Sequence, residues 1–163
     1  MEQTIPPIKR HEAIVQFSRE HHFGLLLVWK IRQGLKAGLE PERIAKYALY
    51  FFEEDLKAHF EEEERVLFSK MKETDGLKIK ALREHREIFN IIAELQLEKN
   101  NPGVLTAFAD ALDRHIRFEE RELFNHLQAQ LTDDELTTLA AEHPPRTNDP
   151  DLKWADHFWV KKH

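Results

Sequence analysis

Ala58-His59-Phe60-Glu61-Glu62-Glu63-Glu64-Arg65-Val66-Leu67-Phe68 and Arg114-His115-Ile116-Arg117-Phe118-Glu119-Glu120-Arg121-Glu122-Leu123-Phe124 are copies of one another. Six of their eleven positions are identical: the His, the Glu-Glu-Arg that begins four residues later, and the closing Leu-Phe. Upstream of each copy stands a matching triplet, Arg19-Glu20-His21 before the first and Arg83-Glu84-His85 before the second. The chain therefore reads His … His-x-x-x-Glu twice over. Residues four apart on a helix project from one face, so each His–Glu pair addresses one direction. That pattern is what a four-helix bundle needs to hold a pair of metal ions at its centre.

Working outward from the repeats, apolar residues recur at steps of three and four and mark four long helices. The first spans about 11–36, with an inward seam of Ile14, Phe17, His21, Leu25, Val28, Ile31 and Leu35. The second spans about 41–72, with Ile44, Ala48, Phe52, Leu56, His59, Glu63 and Val66. The third spans about 77–98, with Ile79, Leu82, His85, Phe89, Ile92 and Leu95. The fourth spans about 104–131, with Leu105, Phe108, Leu112, His115, Glu119 and Leu123. Gly38 with Pro41, Thr74-Asp75-Gly76, and Asn100-Asn101-Pro102-Gly103 punctuate them. Thr132-Asp133-Asp134-Glu135 reads as a capping box opening a short fifth helix that Pro144-Pro145 ends. Short connections favour antiparallel neighbours, so the expected fold is all-α: an up-down-up-down four-helix bundle over 1–131, preceded within that range by a short N-terminal segment over 1–10. Residues 132–163 form a short C-terminal helix and an aromatic tail on the same domain. Trp154, Phe158 and Trp159 in that tail either dock on the bundle or offer a surface to a partner.

Composition narrows the function. At 163 residues, 41% hydrophobic and with only 5 Gly, the chain can build one core. A net charge of -6 speaks against a general nucleic-acid binder. Lys78, Lys80, Arg83 and Arg86 cluster, but Glu84 and Glu87 interrupt them, as on a solvated helix face. The absence of Cys excludes disulfides, thiolate ligands and Cys nucleophiles. No apolar run reaches the ~18 residues of a membrane span, and Met1 to Arg10 carries no apolar signal core. A cytoplasmic protein that binds neither membrane nor nucleic acid is expected.

A lone His-x-x-x-Glu carries little weight in a chain this rich in His and acid. The weight comes from three facts together. Both pairs fall within a repeat, both interrupt apolar seams, and His21 and His85 interrupt the other two seams. Two carboxylates buried near one another repel, and each unpaired one costs several kcal/mol. Bound cations remove that cost, and neutral imidazole with carboxylate suits iron, manganese or zinc. The alternative is a hydrogen-bonded polar core in which each His donates to a Glu. In the metal reading Glu63 and Glu119 bridge two ions. His21, His59, His85 and His115 are terminal ligands, and an oxo or hydroxo bridge completes the pair with an open position on each ion.

The chain resembles the hemerythrin-like, or HHE cation-binding, domains. The resemblance covers about Ile14 to Leu131. It rests on His21 in Ser18-Arg19-Glu20-His21-His22, on His59 with Glu63, on His85, and on His115 with Glu119. It implies a four-helix bundle with a non-haem di-iron centre. It also implies binding or reduction of dioxygen, nitric oxide or peroxide, or else iron sensing, storage or delivery. Oxygen-carrying hemerythrins have a second His one turn after that of the third helix; here Phe89 stands there. Their last helix uses an Asp five residues after its His. Glu120 occupies that spacing here, but the repeat pairs Glu119 with Glu63. The pattern is closer to bacterial relatives linked to nitrosative stress and iron–sulfur repair.

Some positions stay open. His22 is the alternative to His21, although the Arg-Glu-His repeat and the seam favour His21. His11, His126 and Glu62 are more distant candidates, while His143, His157 and His163 are expected in solvent. Phe52, Phe68, Phe89 and Phe124 are candidates to wall the site. Tyr47 and Tyr50 are lesser candidates to reach the ions. Two other functions compete: a passive iron store or sensor without turnover, and a metal-free helical interaction bundle.

Overall fold

The computed structural model describes residues 10–143 and 149–160. Residues 1–9, the Pro144-Pro145 stop and His163 lie outside the described residues. Among the described residues every regular element is helical.

Local chemistry fixes where each helix starts and stops. The His11 imidazole accepts the Ala13 N–H and opens α1 (Glu12–Lys36). The chain leaves α1 through Gly38, whose φ of 75° suits a residue without a β-carbon. Pro41 opens α2 (Pro41–Phe51), where its missing N–H has no helical partner to lose. The rod then continues through a π turn at Phe52–Leu56, α3 (Lys57–Glu62), a second π turn at Glu63–Leu67 and a 3-10 turn at Phe68–Lys70. The Asp75 carboxylate caps α4 (Gly76–Leu97) by accepting the Leu77 N–H. Asn101 caps α5 (Pro102–Phe118), which runs through a third π turn at Glu119–Leu123 into α6 (Phe124–Gln130). Thr132 and Glu135 form the expected capping box at the start of α7 (Asp133–Glu142).

Two seams depart from the sequence expectation. On α4 the buried row is Lys78, Ala81, His85, Ile88, Ile92 and Leu95, while Ile79 is 49% exposed. The buried Lys78 ammonium is satisfied by donating to the Met71 carbonyl and the Glu73 carboxylate, so its stem can line the core. On α1 the buried row beyond His21 passes through Gly24, Leu27, Val28, Ile31 and Gly34, and Leu25 and Leu35 are only partly covered. A β-carbon at Gly24 would meet Ile116 Cδ1 at 2.8 Å, so α5 lies close against α1 at this point.

α1 packs on α5 and on α2, α4 packs on α5, and α2 also touches α4 and α5. α7 lies over α1 and the second π turn. The tail docks: Trp154, Phe158 and Trp159 surround Tyr47, with ring centroids 5.8, 5.7 and 4.7 Å from it.

The core divides into two apolar clusters. One holds Leu27, Ile31, Ile44, Phe60, Ile88, Leu112 and Ile116; the other holds Ile14, Phe17, Val66, Phe68, Ala81, Leu123 and Phe124. Their order along the chain reverses from each rod to the next. α1 runs from the second cluster to the first, the α2–α3 rod from first to second, α4 back again, and α5–α6 from first to second. On every rod the His and Glu of the repeats stand where one cluster gives way to the other. None of the described helices is long and apolar enough to cross a membrane.

Candidate metal centre

The structure brings six residues into that layer: His21 from α1, His59 and Glu63 from the α2–α3 rod, His85 from α4, and His115 and Glu119 from α5 and its π turn. All six are buried, with Glu63, His115 and Glu119 at 0% exposure. They form two ligand groups. His21 and His59 converge with Glu63 and Glu119, and His85 and His115 converge with the same two carboxylates. Within each group the candidate ligand atoms lie within 4.8 Å of one another. The inner contacts are His21 Nε2 to Glu119 at 3.1 Å, His59 Nε2 to Glu63 at 3.4 Å, His85 Nε2 to Glu63 at 3.1 Å and His115 Nε2 to Glu119 at 3.0 Å.

The outward nitrogens follow one rule. His21 Nδ1 donates to Glu120 at 2.7 Å, His59 Nδ1 to Glu20 at 2.8 Å, His85 Nδ1 to Glu64 at 2.9 Å and His115 Nδ1 to Glu84 at 2.8 Å. A carboxylate only accepts, so each bond places the proton on Nδ1 and turns Nε2 inward. The sequence reading missed these four Glu as a set. Their signal was present: Glu20 and Glu84 stand inside the repeated Arg-Glu-His, and Glu64 and Glu120 are the second member of the repeated Glu-Glu. The repeat thus encodes the ligands together with the groups that orient them.

Two of the three π turns begin at Glu63 and Glu119 themselves. A π turn takes up one extra residue, and here it follows each His-x-x-x-Glu. It returns the rod to the apolar seam at Leu67-Phe68 and Leu123-Phe124. Phe124 stacks on His21 with centroids 5.2 Å apart, and Phe68 lies 5.5 Å from His85. Phe60 covers His85 at 4.4 Å and His115 at 5.6 Å, a role that the sequence had not assigned to it. Phe52 and Phe89 pack on each other in the first apolar cluster, with no ring contact to the four imidazoles.

Other candidates fall elsewhere. His22 is exposed, so His21 is the member of its pair in the layer. His11 caps α1 and His126 donates to Asp75. Tyr47 and Tyr50 point to the tail, where they bond Asp151 and the Pro150 carbonyl. Glu62 accepts from Arg65 and His143. His157 is exposed as expected, but His143 is not: it is 4% exposed and stacks on Phe17 at 3.9 Å. Its Nε2 bonds Glu20 at 2.6 Å. Its position just past α7, which folds back over α1, buries it; nothing in the polar sequence around it signals that return.

Burial by itself would press the imidazoles toward neutrality. The Glu63 charge and the Glu20 bond overcome this at His59, raising its pKa to about 9. Against the same burial, Glu119 and then Glu84 raise His115 to about 10. His21 is held well above its ordinary value by Glu119 and Glu120, and His85 is raised by Glu63 and Glu64. Burial would raise Glu63, but His59 and the imidazoles bonding it hold it well below the carboxylate range. Glu20 is lowered to about 2, its own burial outweighed by His143 and His59. Without a cation, protons on the imidazoles do the neutralising. Even so, His59 Nε2, Glu63 Oε2, His115 Nε2 and Glu119 Oε2 are buried with no hydrogen-bond partner. Such orphaned atoms are costly, and nitrogen and carboxylate oxygen in this number form a donor set that fits iron, manganese or zinc.

The family model described as Hemerythrin HHE cation binding domain matches residues 12–127. No curated protein and no solved structure matches the chain.

Proposed function

The chain belongs to the hemerythrin HHE cation-binding family, and on that premise we propose that it holds a pair of iron ions with which it binds or reduces dioxygen, nitric oxide or peroxide. The observation that carries this reading is the pair of His–His groups sharing Glu63 and Glu119, with four inward-facing atoms left without a hydrogen-bond partner. His21 and His59 would hold one ion, His85 and His115 the other, and the two carboxylates would span both. Bound iron supplies redox and Lewis-acid chemistry at the open positions. The chain's own residues do the rest. Glu20, Glu64, Glu84 and Glu120 keep the ring protons on Nδ1 and fix the imidazole planes. Phe60, Phe68 and Phe124 keep water from the layer, which favours a small diatomic or peroxide over larger ligands. The reversal of the two apolar clusters along successive rods supports an up-down-up-down order.

A second reading has its own support. Each imidazole already has a carboxylate on its outer nitrogen. A layer that protons can neutralise suits reversible metal occupancy, as in an iron sensor or store without turnover.

Elemental analysis after expression in iron-replete medium tests the metal, with about two irons per chain expected. Glu63→Ala combined with Glu119→Ala should abolish metal retention and the near-ultraviolet absorption of a bridged ferric pair. Unchanged spectra in that double variant would refute the assignment. Steady consumption of oxygen, nitric oxide or peroxide by the loaded protein separates the first reading from the second.

A further inference from the structure

The repeat is nearly twofold, but what stands behind its two halves is not. Around His21 and His59, both orienting carboxylates are themselves anchored. Glu120 also accepts from Ser18 Oγ at 3.2 Å and pairs with the Arg10 guanidinium at 3.3 Å. Glu20 is 5% exposed. It spends one oxygen on His59, and its other accepts from His143 Nε2 at 2.6 Å and from Gln16 at 3.3 Å. His143 is in turn held by its stack on Phe17 and by Glu62.

Around His85 and His115 the orienting carboxylates are looser. The Glu64 side chain is 44% exposed and that of Glu84 18%, against 28% for Glu120 and 5% for Glu20, so the contrast lies in what each carboxylate bonds. Among the described residues, neither accepts a further side-chain hydrogen bond. The asymmetry has a clear origin in the chain. Arg10, Ser18 and His143 lie outside the repeated motifs, and among the described residues α7, which delivers His143, has no counterpart beside α4 and α5.

An imidazole ligand is as firmly placed as the group behind it. A carboxylate bonded at both oxygens holds its partner at a smaller entropic cost than one that solvent can claim. We infer that the two metal positions are unequal by construction: the His21–His59 position retains its ion, the His85–His115 position is the exchangeable one, and His143 is the positioning residue that sets the difference. This rests on the two-metal reading above and assigns the positions within it.

The test uses the full chain stripped of metal and loaded with Co(II), which does not change oxidation state during the measurement. Competition against a chelator should resolve two release steps separated by roughly tenfold or more, the usual effect of an outer partner on a ligand. Crystals grown at one Co(II) per chain should place the anomalous density between His21 and His59. His143→Phe keeps a ring to stack on Phe17 but removes both nitrogens. It should weaken the tight step by about tenfold and leave the loose step unchanged. His143→Gln, whose amide can donate to Glu20, should recover part of the loss, and serves also if the Phe variant folds poorly. Equal release constants, density at both positions, or a His143→Phe effect on both steps alike would overturn the inference while leaving the two-metal reading intact. Failure of the wild-type chain to bind cobalt would overturn that reading, and this one with it.

Discussion

Lys30, Tyr47 and Asp151 form one buried polar cluster, and the His–Glu layer forms another. In the first, the Lys30 ammonium bonds both Tyr47 Oη and Asp151, Tyr47 donates to Asp151 at 2.6 Å, and Trp159 lies under the ammonium at 4.0 Å. The ammonium meets the Asp151 carboxylate, and all three polar ends have partners. The second cluster gathers more charge in a drier place and still leaves inward atoms without a hydrogen bond. The α1 and α2–α3 rods contribute to each; the tail completes the first, and α4 and α5 complete the second. The difference separates charge that completes a fold from charge arranged around something absent from the chain.

The largest effect should come from supplying what the second cluster lacks. A metal at ~1000 times its dissociation constant adds about 4 kcal/mol. For a domain of this size that is a rise in melting temperature of roughly 8–16 °C, read by calorimetry with and without Fe(II). A chain whose melting temperature ignores metal would place both clusters in the same class.

Next is the pH response of the metal-free chain. The imidazole pKa values are raised on folding, so their stabilisation is complete below the unfolded value of 6.5. It is lost as pH rises through about 9 at His59 and about 10 at His115. Melting temperature should therefore fall across that window, and fall less when metal has already displaced the protons. Metal affinity should climb over the same range, with protons released on binding. On the acid side, Glu20 contributes above 4.5 and loses its contribution as pH drops toward about 2.

Smaller is the cost of damaging the completed cluster. Asp151→Ala leaves a buried ammonium without its counter-charge and should cost about 2 kcal/mol, whereas Lys30→Met, which leaves a quarter-exposed carboxylate, should cost less. Neither should change the metal content, and a loss of metal in either would join the two clusters into one system. The smallest effect belongs to His22→Ala. As an exposed residue outside the layer, it should move stability by no more than about 0.5 kcal/mol and leave metal content unaltered.

The six residues of the layer were legible because each violates an apolar seam and because the violation is repeated. Helix limits were legible from Gly38, Pro41, Asp75, Asn101 and Thr132, whose chemistry is local. Less visible was what depends on tertiary return. His143 sits in a polar stretch that reads as solvated, and only the course of α7 over α1 buries it. Lys78 displaced Ile79 because a long side chain can cover the core while its buried ammonium bonds the Met71 carbonyl and Glu73, which periodicity does not register. Tyr47 and Tyr50 were drawn to the tail by Asp151 and Pro150, partners about a hundred residues away in the chain.

His21 and Glu119 are 98 residues apart along the chain and 3.1 Å apart in space. His85 and Glu63, 22 residues apart, meet at 3.1 Å in the same layer. A bound pair of ions would therefore tie all four rods at their waists, closing long loops whose entropy is lost from the unfolded chain. This protein has no cysteine with which to make a covalent tie. Its centre offers a cross-link that a chelator can take out and a fresh supply of metal can put back, so mechanical strength would follow the metal supply.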